Sequence, residues 1–115
     1  MLAVGEHLFG NVSAEAMKMA SLFAGGLAGT REEMCGALSG GLMLLGILYG
    51  RSKPGEDEQL ARQLAARLRE RFLAEFGTTQ CRPVRAQVAG PDDSGSCAPV
   101  AERGAALLLE LLGEV

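Results

Sequence analysis

The sequence predicts an all-α fold, a compact bundle of five to six helices around a central, glycine-rich apolar helix. Leu and Ala supply 35 of its 115 residues, whereas Val, Ile and Thr together supply 10. This ratio favours helix, because unbranched side chains keep more rotamer freedom in a helix than β-branched ones do. Apolar residues also recur at helical spacing in several segments that end at glycine, and no segment alternates as a strand would. The length fits a single domain spanning residues 1–115.

The first two predicted helices are short. Residues 1–9 are apolar and are followed by Gly10, a residue type that commonly ends helices. Because no capping residue precedes Met1, we expect this first helix to be incomplete at its N-terminus. Ser13 is the predicted N-cap of the second helix, which the glycines at 25, 26 and 29 should end.

The third helix is the predicted centre of the bundle. Thr30 and Glu33 form a capping-box pattern, which predicts that the helix begins at Arg31; it should end at Tyr49, before Gly50. The 17 residues from 34 to 50 carry no charge, and a helix that is apolar nearly all round is typical of a buried position. Their number is short for a membrane span and is diluted by glycine, so we expect a buried core helix and no membrane span.

Three further helices complete the predicted bundle. Acidic residues 56–58 should form the first turn of the fourth helix, which ends at Gly77. Its apolar stripe repeats every four residues and comprises Leu60, Leu64, Leu68, Phe72 and Phe76. A short fifth helix is expected from about residue 78 to Ala89, followed by a polar loop over residues 90–96. Pro99 lies near the predicted start of the last helix.

Charge and targeting patterns limit the class of function. The chain has 14 acidic and 11 basic side chains and a net charge of −3, whereas nucleic-acid-binding domains are usually basic. We therefore expect no nucleic-acid partner. The N-terminal residues lack the basic region and cleavage site of a signal peptide, so a cytoplasmic location is expected.

The three cysteines are the candidates for chemistry. Cys35, Cys81 and Cys97 each lie at or near a predicted helix start, where the helix dipole stabilises a thiolate and lowers the thiol pKa. Such thiols suit redox chemistry or metal ligation, although gaps of 46 and 16 residues match no standard zinc or cluster motif. Gly36 and Gly40 bare a strip of helix backbone, where a cofactor or the segments bearing the other two cysteines could approach closely.

The segment Cys35–Gly40, with the sequence Cys-Gly-Ala-Leu-Ser-Gly, fits a C-G-A-x-x-G pattern. The surrounding residues that share the resemblance are Phe23–Gly26, Met43–Gly46, Tyr49–Arg51, Phe72, Phe76, Gly77, Cys81 and Cys97. In this order the chain resembles, over nearly its whole length, the redox-active C_GCAxxG_C_C family of small helical proteins named for four cysteines.

The resemblance implies a thiol-based or iron–sulfur-type redox role, with Cys35, Cys81 and Cys97 as three of the four cysteines. The family's first cysteine lies in a helix that this chain enters part-way, at Met1, so we expect the fourth thiol to be missing. A tetrahedral zinc or iron–sulfur site would then need His7, a solvent ligand or a residue of a second subunit.

Two functions of different classes remain open. In the first, the chain is a redox protein whose clustered thiols either ligate zinc or an iron–sulfur cluster or cycle through a disulfide, with a redox partner that the sequence does not identify. Cys81 and Cys97 are the pair expected to form that disulfide, because only a short helix and a loop separate them. A shared site requires the starts of the third, fifth and sixth helices to converge, with sulfurs about 4–8 Å apart.

The second function is a non-enzymatic, homodimeric interaction module with structural cysteines. A homodimer is expected because small isolated bundles are marginally stable and association is their common remedy. A third possibility is a small apolar ligand that binds against the glycine face formed by Gly36 and Gly40.

Overall fold

The computed structural model describes residues 2–115, and these residues contain helices but no strand. The helices are α1 (Leu2–Phe9), α2 (Ala14–Ser21), α3 (Gly36–Tyr49), α4 (Gln59–Phe76), α5 (Cys81–Ala86) and α6 (Ala98–Leu112). An isolated antiparallel bridge joins Met34 to Gln80. The predicted all-α fold is confirmed, and the predicted helix start at Met1 lies outside the described residues.

The core lies where α3, α4 and α6 pack against one another. The largest side chains with almost no exposed surface are Leu38, Leu45, Leu64, Leu68, Phe72, Val84, Val100, Leu108 and Leu111. α3 contributes to this core as predicted, but it is not buried all round, because Ile47 and Leu48 remain exposed. The glycine-rich helix therefore has one face toward the core and one toward solvent.

α4 buries Leu64, Leu68 and Phe72 of its predicted apolar stripe, whereas Leu60 is 47% exposed. The helix also begins later than predicted. The acidic residues 56–58 precede the helix, which begins at Gln59. The carboxylate of Asp57 accepts the N–H of Gln59 at 2.9 Å, and the carboxylate of Glu58 accepts hydrogen bonds from Arg62. Gly77 ends the helix in a left-handed conformation, with φ of 75°.

The predicted capping box at the start of α3 is wrong, because α3 begins at Gly36 and not at Arg31. Arg31 has a φ of +62°, which is incompatible with a right-handed helix. The Thr30 hydroxyl donates to the carbonyl oxygen of Gly26 at 2.9 Å, and the Glu33 N–H donates to the same carbonyl at 3.1 Å. Thr30 and Glu33 thus belong to the turn that precedes the helix.

Residues 25–29 form a left-handed segment, a stretch of backbone with positive φ that lies between α2 and the turn before α3. The φ values of its five residues are all positive, from 54° to 75°. This conformation costs L-residues such as Leu27 and Ala28 about 1–2 kcal/mol each. Glycine is required at position 26 for a second reason. A Cβ there would lie 2.4 Å from the Cβ of Cys81 and 2.8 Å from the Cα of Arg31. The segment therefore packs directly on the start of α5.

Gly26 and Gly29 provide a matched test of this packing. Both have positive φ, 67° and 73°, but a Cβ at Gly29 meets no atom within 4 Å. We expect Gly29→Ala to lower the free energy of unfolding by about 1–2 kcal/mol, and Gly26→Ala by about 2–5 kcal/mol because overpacking adds to the same backbone cost. Urea denaturation under reducing conditions measures both, and equal losses would contradict the contact with Cys81.

Candidate functional site

All three cysteines line a single cavity of about 600 Å³. Its walls come from α2, the left-handed segment and the starts of α3, α5 and α6. The apolar part of the lining comprises Phe23, Met43, Val100 and four alanines, Ala20, Ala24, Ala37 and Ala101. The structure thus brings together three thiols that are far apart in sequence, while their roles remain predictions.

Two backbone hydrogen bonds hold Cys35 beside Cys81. The Cys35 N–H donates to the carbonyl of Thr79, and the Cys81 N–H donates to the carbonyl of Glu33, each at 2.8 Å. Cys35 is the N-cap of α3 and Cys81 is the first residue of α5. Both side chains are buried, with 8% of the residue surface exposed in each case. Cys97 is the N-cap of α6, so the expected position of all three cysteines at helix starts is observed.

Cys97 differs from the other two cysteines in its exposure and in its polar contact. It is half-buried, and the Nη1 of Arg85 donates a hydrogen bond to its sulfur at 3.2 Å. The other guanidinium nitrogens of Arg85 are held by the loop before α6. Nε donates to Oδ1 of Asp93 at 2.8 Å, and Nη2 donates to the carbonyls of Asp93 and Gly95 at 3.1 and 3.0 Å. Arg85 is therefore fixed with one donor directed at the Cys97 sulfur.

Asp93 joins two arginines that line the cavity. Its second carboxylate oxygen accepts a hydrogen bond from Nη1 of Arg31. These hydrogen bonds, first that of Arg31 and then that of Arg85, lower the pKa of the Asp93 carboxyl group. The hydrogen bond to Asp93, followed by that to Cys97, raises the pKa of Arg85. Both arginines remain charged next to the thiols.

Burial has the largest effect on the pKa values of Cys35 and Cys81, the two inner thiols of the cavity. Desolvation raises the pKa of Cys35 and outweighs the backbone N–H groups of Ala37 and Leu38, which lower it. Desolvation also raises the pKa of Cys81, against the opposing charges of three nearby arginines, Arg31, Arg85 and Arg82. The prediction that a helix start lowers the thiol pKa is therefore wrong at these two positions. The loss of solvent costs the thiolate more than the N–H groups return at Cys35 or the arginine charges return at Cys81.

The glycines at positions 36 and 40 both line the cavity. A Cβ added at Gly36 would meet the backbone of Ala24 at 3.5 Å and of Phe23 at 3.7 Å. The segment that approaches Gly36 closely is thus the chain after α2. The expectation that the segments bearing Cys81 and Cys97 make the closest approach is wrong at Gly36 and stays a prediction at Gly40.

The polar part of the site, namely Arg31, Arg85 and Asp93, was not predicted from the sequence. One signal was available, since Arg85 follows Cys81 by four residues and so lies on the same face of a helix. The pairing of Arg31 with Asp93 spans 62 positions, and no local pattern indicates it. His7 does not line the cavity, so the structure does not support it as a fourth ligand.

The cavity does not fit a metal centre as it stands. Residues 2–115 contain no group of three or more His, Cys, Asp or Glu side chains arranged to hold a metal ion. The sulfur of Cys97 also accepts a hydrogen bond from the guanidinium of Arg85, and this cation would compete with a metal for that sulfur.

Residues 1–111 match the family model described as "Putative redox-active protein (C_GCAxxG_C_C)". The chain belongs to this family. The match confirms the resemblance carried by the Cys35–Gly40 motif, and the family description indicates a redox role. No curated protein and no solved structure shows significant similarity to the chain. Among residues 2–115, no helix has the length and apolar character needed to cross a membrane.

The raised pKa values of Cys35 and Cys81 predict a loss of stability in alkaline solution. The folded protein holds both protons more tightly than the unfolded chain, whose thiols titrate near about 8.5. Stability from this source is complete below that pH. It is lost as the pH rises toward the folded-state pKa values, by up to about 1.4 kcal/mol per pH unit for each thiol.

Urea denaturation of the reduced protein between neutral and alkaline pH measures this decline. Cys35→Ala should make it shallower, because one titrating thiol is removed. Val84→Ala is the matched control, since Val84 is also buried, on α5, but does not titrate; it should lower stability without changing the pH slope. An identical slope in Cys35→Ala and the wild type would contradict the burial argument.

Proposed function

We propose that this chain is a thiol–disulfide redox protein in which two of the three cavity thiols cycle between dithiol and disulfide. The observation that carries the proposal is the collection of three free cysteines in one cavity, within a chain whose family is described as redox-active. Disulfide cycling needs two thiols, whereas a zinc or iron–sulfur centre needs a ligand group that residues 2–115 do not form. The site therefore supports disulfide cycling better.

Cys97 is the proposed attacking thiol. It is more exposed than Cys35 or Cys81, and the guanidinium of Arg85 donates to its sulfur. A charge-assisted donor stabilises negative charge on an attacking sulfur. Cys97 releases its proton to solvent and attacks one sulfur of a partner disulfide. A mixed disulfide forms, and the first half of the partner leaves as a thiolate.

Cys81 is the proposed resolving thiol. It lines the same cavity as Cys97, and after desolvation the electrostatic effect of Cys97 is the next cause that raises the pKa of Cys81. Cys81 loses its proton and attacks the Cys97 sulfur of the mixed disulfide, which forms the Cys81–Cys97 bond and releases the second half of the partner. In this oxidative half of the cycle two cysteine thiols give up two electrons and two protons, and the partner disulfide takes them up to become two thiols. A thiol reductant then returns the Cys81–Cys97 disulfide to two thiols by the same exchange and is itself oxidised to a disulfide.

Cys35 has no part in this exchange. It is buried at the start of α3. The charges of three arginines act on the thiol of Cys81, whereas no arginine is among the causes that shift the pKa of Cys35. We propose that it remains a thiol that packs the cavity wall beside Leu38 and Gly36. The alternative, which the family resemblance implies, is that Cys35 is itself a redox thiol. The oxidation experiment that follows distinguishes these two assignments.

Oxidation of the reduced, anaerobically purified protein by a simple dialkyl disulfide tests the proposal. Peptide mapping by mass spectrometry should find a Cys81–Cys97 disulfide in the wild type and in Cys35→Ala, and no intrachain disulfide in Cys81→Ala or Cys97→Ala. The same reaction in denaturant is the control, because unfolding should abolish the selectivity for this pair.

Two results would overturn the proposal. In the first, all three thiols of the folded wild type stay reduced under conditions in which the dialkyl disulfide oxidises a simple free thiol. The other is stoichiometric iron or zinc in the anaerobic protein, with loss of the metal on substitution of any of the three cysteines, which would favour the metal-centre alternative.

A second candidate function, homodimeric association, is favoured by the surface of α2. None of the α2 residues is buried, and Met19, on this helix, has 76% of its surface exposed. The exposed apolar residues continue from α2 into the left-handed segment and comprise Met17, Met19, Leu22, Phe23 and Leu27. Contiguous apolar surface of this kind is typical of interaction sites. We propose a second copy of the chain as its partner.

Analytical ultracentrifugation over a range of protein concentrations tests association. The wild type should form a dimer that dissociates on dilution, and the double variant Met19→Lys/Leu22→Lys should remain a monomer. Ile47→Lys is the matched control, because it also replaces an exposed apolar residue but lies on α3. A wild type that is monomeric throughout, or an equal effect of the control, would contradict the proposal.

A further inference from the structure

The charge lining the thiol cavity is of one sign. Apart from the thiols, the ionisable side chains that line it are Arg31 and Arg85, and no carboxylate belongs to the lining. Asp93 contacts both guanidinium groups from outside the lining. The two arginines and Asp93 together carry a net positive charge beside Cys81 and Cys97.

The two arginines have different hydrogen-bonding capacity. Arg85 uses all three guanidinium nitrogens, for Asp93, Gly95 and the sulfur of Cys97. Arg31 uses only Nη1, for Asp93; in the part of the chain that the structure describes, its Nε and Nη2 donate to no other group. Arg85 therefore holds the attacking sulfur, while Arg31 keeps donors that an anion can accept.

The backbone is strained at both residues of the ion pair between Arg31 and Asp93. Arg31 and Asp93 are both non-glycine residues with positive φ, 62° and 59°, a conformation that L-residues rarely adopt. Strained residues of this kind persist where the surrounding structure holds them, and they are frequent in binding sites. Here both members of one ion pair are strained, and that pair places Arg31 at the cavity.

The remaining wall suits short apolar groups. Phe23 and Met43 line the cavity together with Val100 and Ala101, and a volume of about 600 Å³ lies within the range of small-molecule sites. A ligand that fits both parts has an apolar body and an anionic end.

We infer that the disulfide reduced in this cavity is a small molecule with short aliphatic arms that end in carboxylates. The inference rests on the proposed function. Arg31 binds the carboxylate of one arm through its remaining donors, and the arm lies against the apolar wall, with its disulfide at Cys97. The positive balance of the site offsets the repulsion between an attacking thiolate and an anionic disulfide.

Three dialkyl disulfides of similar length but different charge test the inference. These are 3,3′-dithiodipropionate, which is a dianion, bis(2-hydroxyethyl) disulfide, which is neutral, and cystamine, which is a dication. The second-order rate of oxidation of the reduced protein is measured with each and divided by the rate for 2-mercaptoethanol under the same conditions. The normalised rate should be highest for the dianion, on the order of tenfold above the dication, and the difference should shrink at high salt.

Arg31→Gln should remove most of the preference for the dianion, so that the ratio of its normalised rates with the dianion and with the neutral disulfide falls toward one. Arg82→Gln is the matched control, because Arg82 is also near Cys81 but pairs with Glu32 and does not line the cavity. It should retain the order of the three rates.

The outcomes separate the inference from the function on which it rests. Formation of the Cys81–Cys97 disulfide at rates that follow 2-mercaptoethanol for all three reagents overturns the inference and leaves the proposed function standing. A dianion preference that survives Arg31→Gln also overturns it. If none of the three reagents forms that disulfide, the proposed function fails, and the inference fails with it.

Discussion

The site depends on a pair of backbone hydrogen bonds that join residues 33–35 to residues 79–81. They run from Cys35 to Thr79 and from Cys81 to Glu33, around the bridge between Met34 and Gln80. Each strand-like segment turns into a helix directly afterwards, so the bridge places the starts of α3 and α5 side by side. The two buried thiols then share one cavity although they are distant in sequence. The left-handed segment packs against the same region, since a Cβ at Gly26 would overlap both Cys81 and Arg31.

Competition between helix-end electrostatics and desolvation decides the character of each thiol. All three cysteines occupy helix starts, where backbone N–H groups favour a thiolate. At Cys35 those N–H groups act, but burial has the larger effect and raises the pKa. At Cys97 the sulfur is less buried and receives a charged donor from Arg85. The same position in a helix thus gives two protonated inner thiols and one outer thiol with a cation against it, a division that suits resolving and attacking roles.

The sequence was sufficient for the features that local patterns control. Periodic apolar residues predicted α4, Gly10 and Gly77 marked helix ends, and Ser13 capped α2 as expected, with its hydroxyl accepting the Ala16 N–H at 3.1 Å. The start of α3 was predicted wrongly because a distant contact overrides the local pattern there. Thr30 and Glu33 have the spacing of a capping box, but the Glu33 carbonyl accepts the N–H of Cys81 from a remote segment, and this contact holds the chain out of a helix.

The same distinction explains which part of the site was predictable. A cysteine can be recognised as a possible reactive group from its identity alone, so the sequence was enough to make all three thiols candidates. The arginines could not be singled out in this way, because the chain has many surface arginines and several of them form exposed ion pairs. Such pairs contribute little energy. What sets Arg31 and Arg85 apart is their lining of the cavity, which depends on the folded path of two loops.

Asp93 links Arg31 and Arg85, the two arginines that line the cavity, into one site. Two guanidinium groups beside a cavity repel each other and would otherwise turn toward solvent. One carboxylate between them offsets this repulsion by accepting from both, and it does so with a separate oxygen for each. Its backbone carbonyl also accepts from Arg85, so the loop is attached to α5 at more than one point. The surroundings of the cavity then keep a net positive charge, and each arginine still has a carboxylate partner. The same arrangement leaves Nη1 of Arg85 free of Asp93, and this nitrogen donates to the sulfur of Cys97.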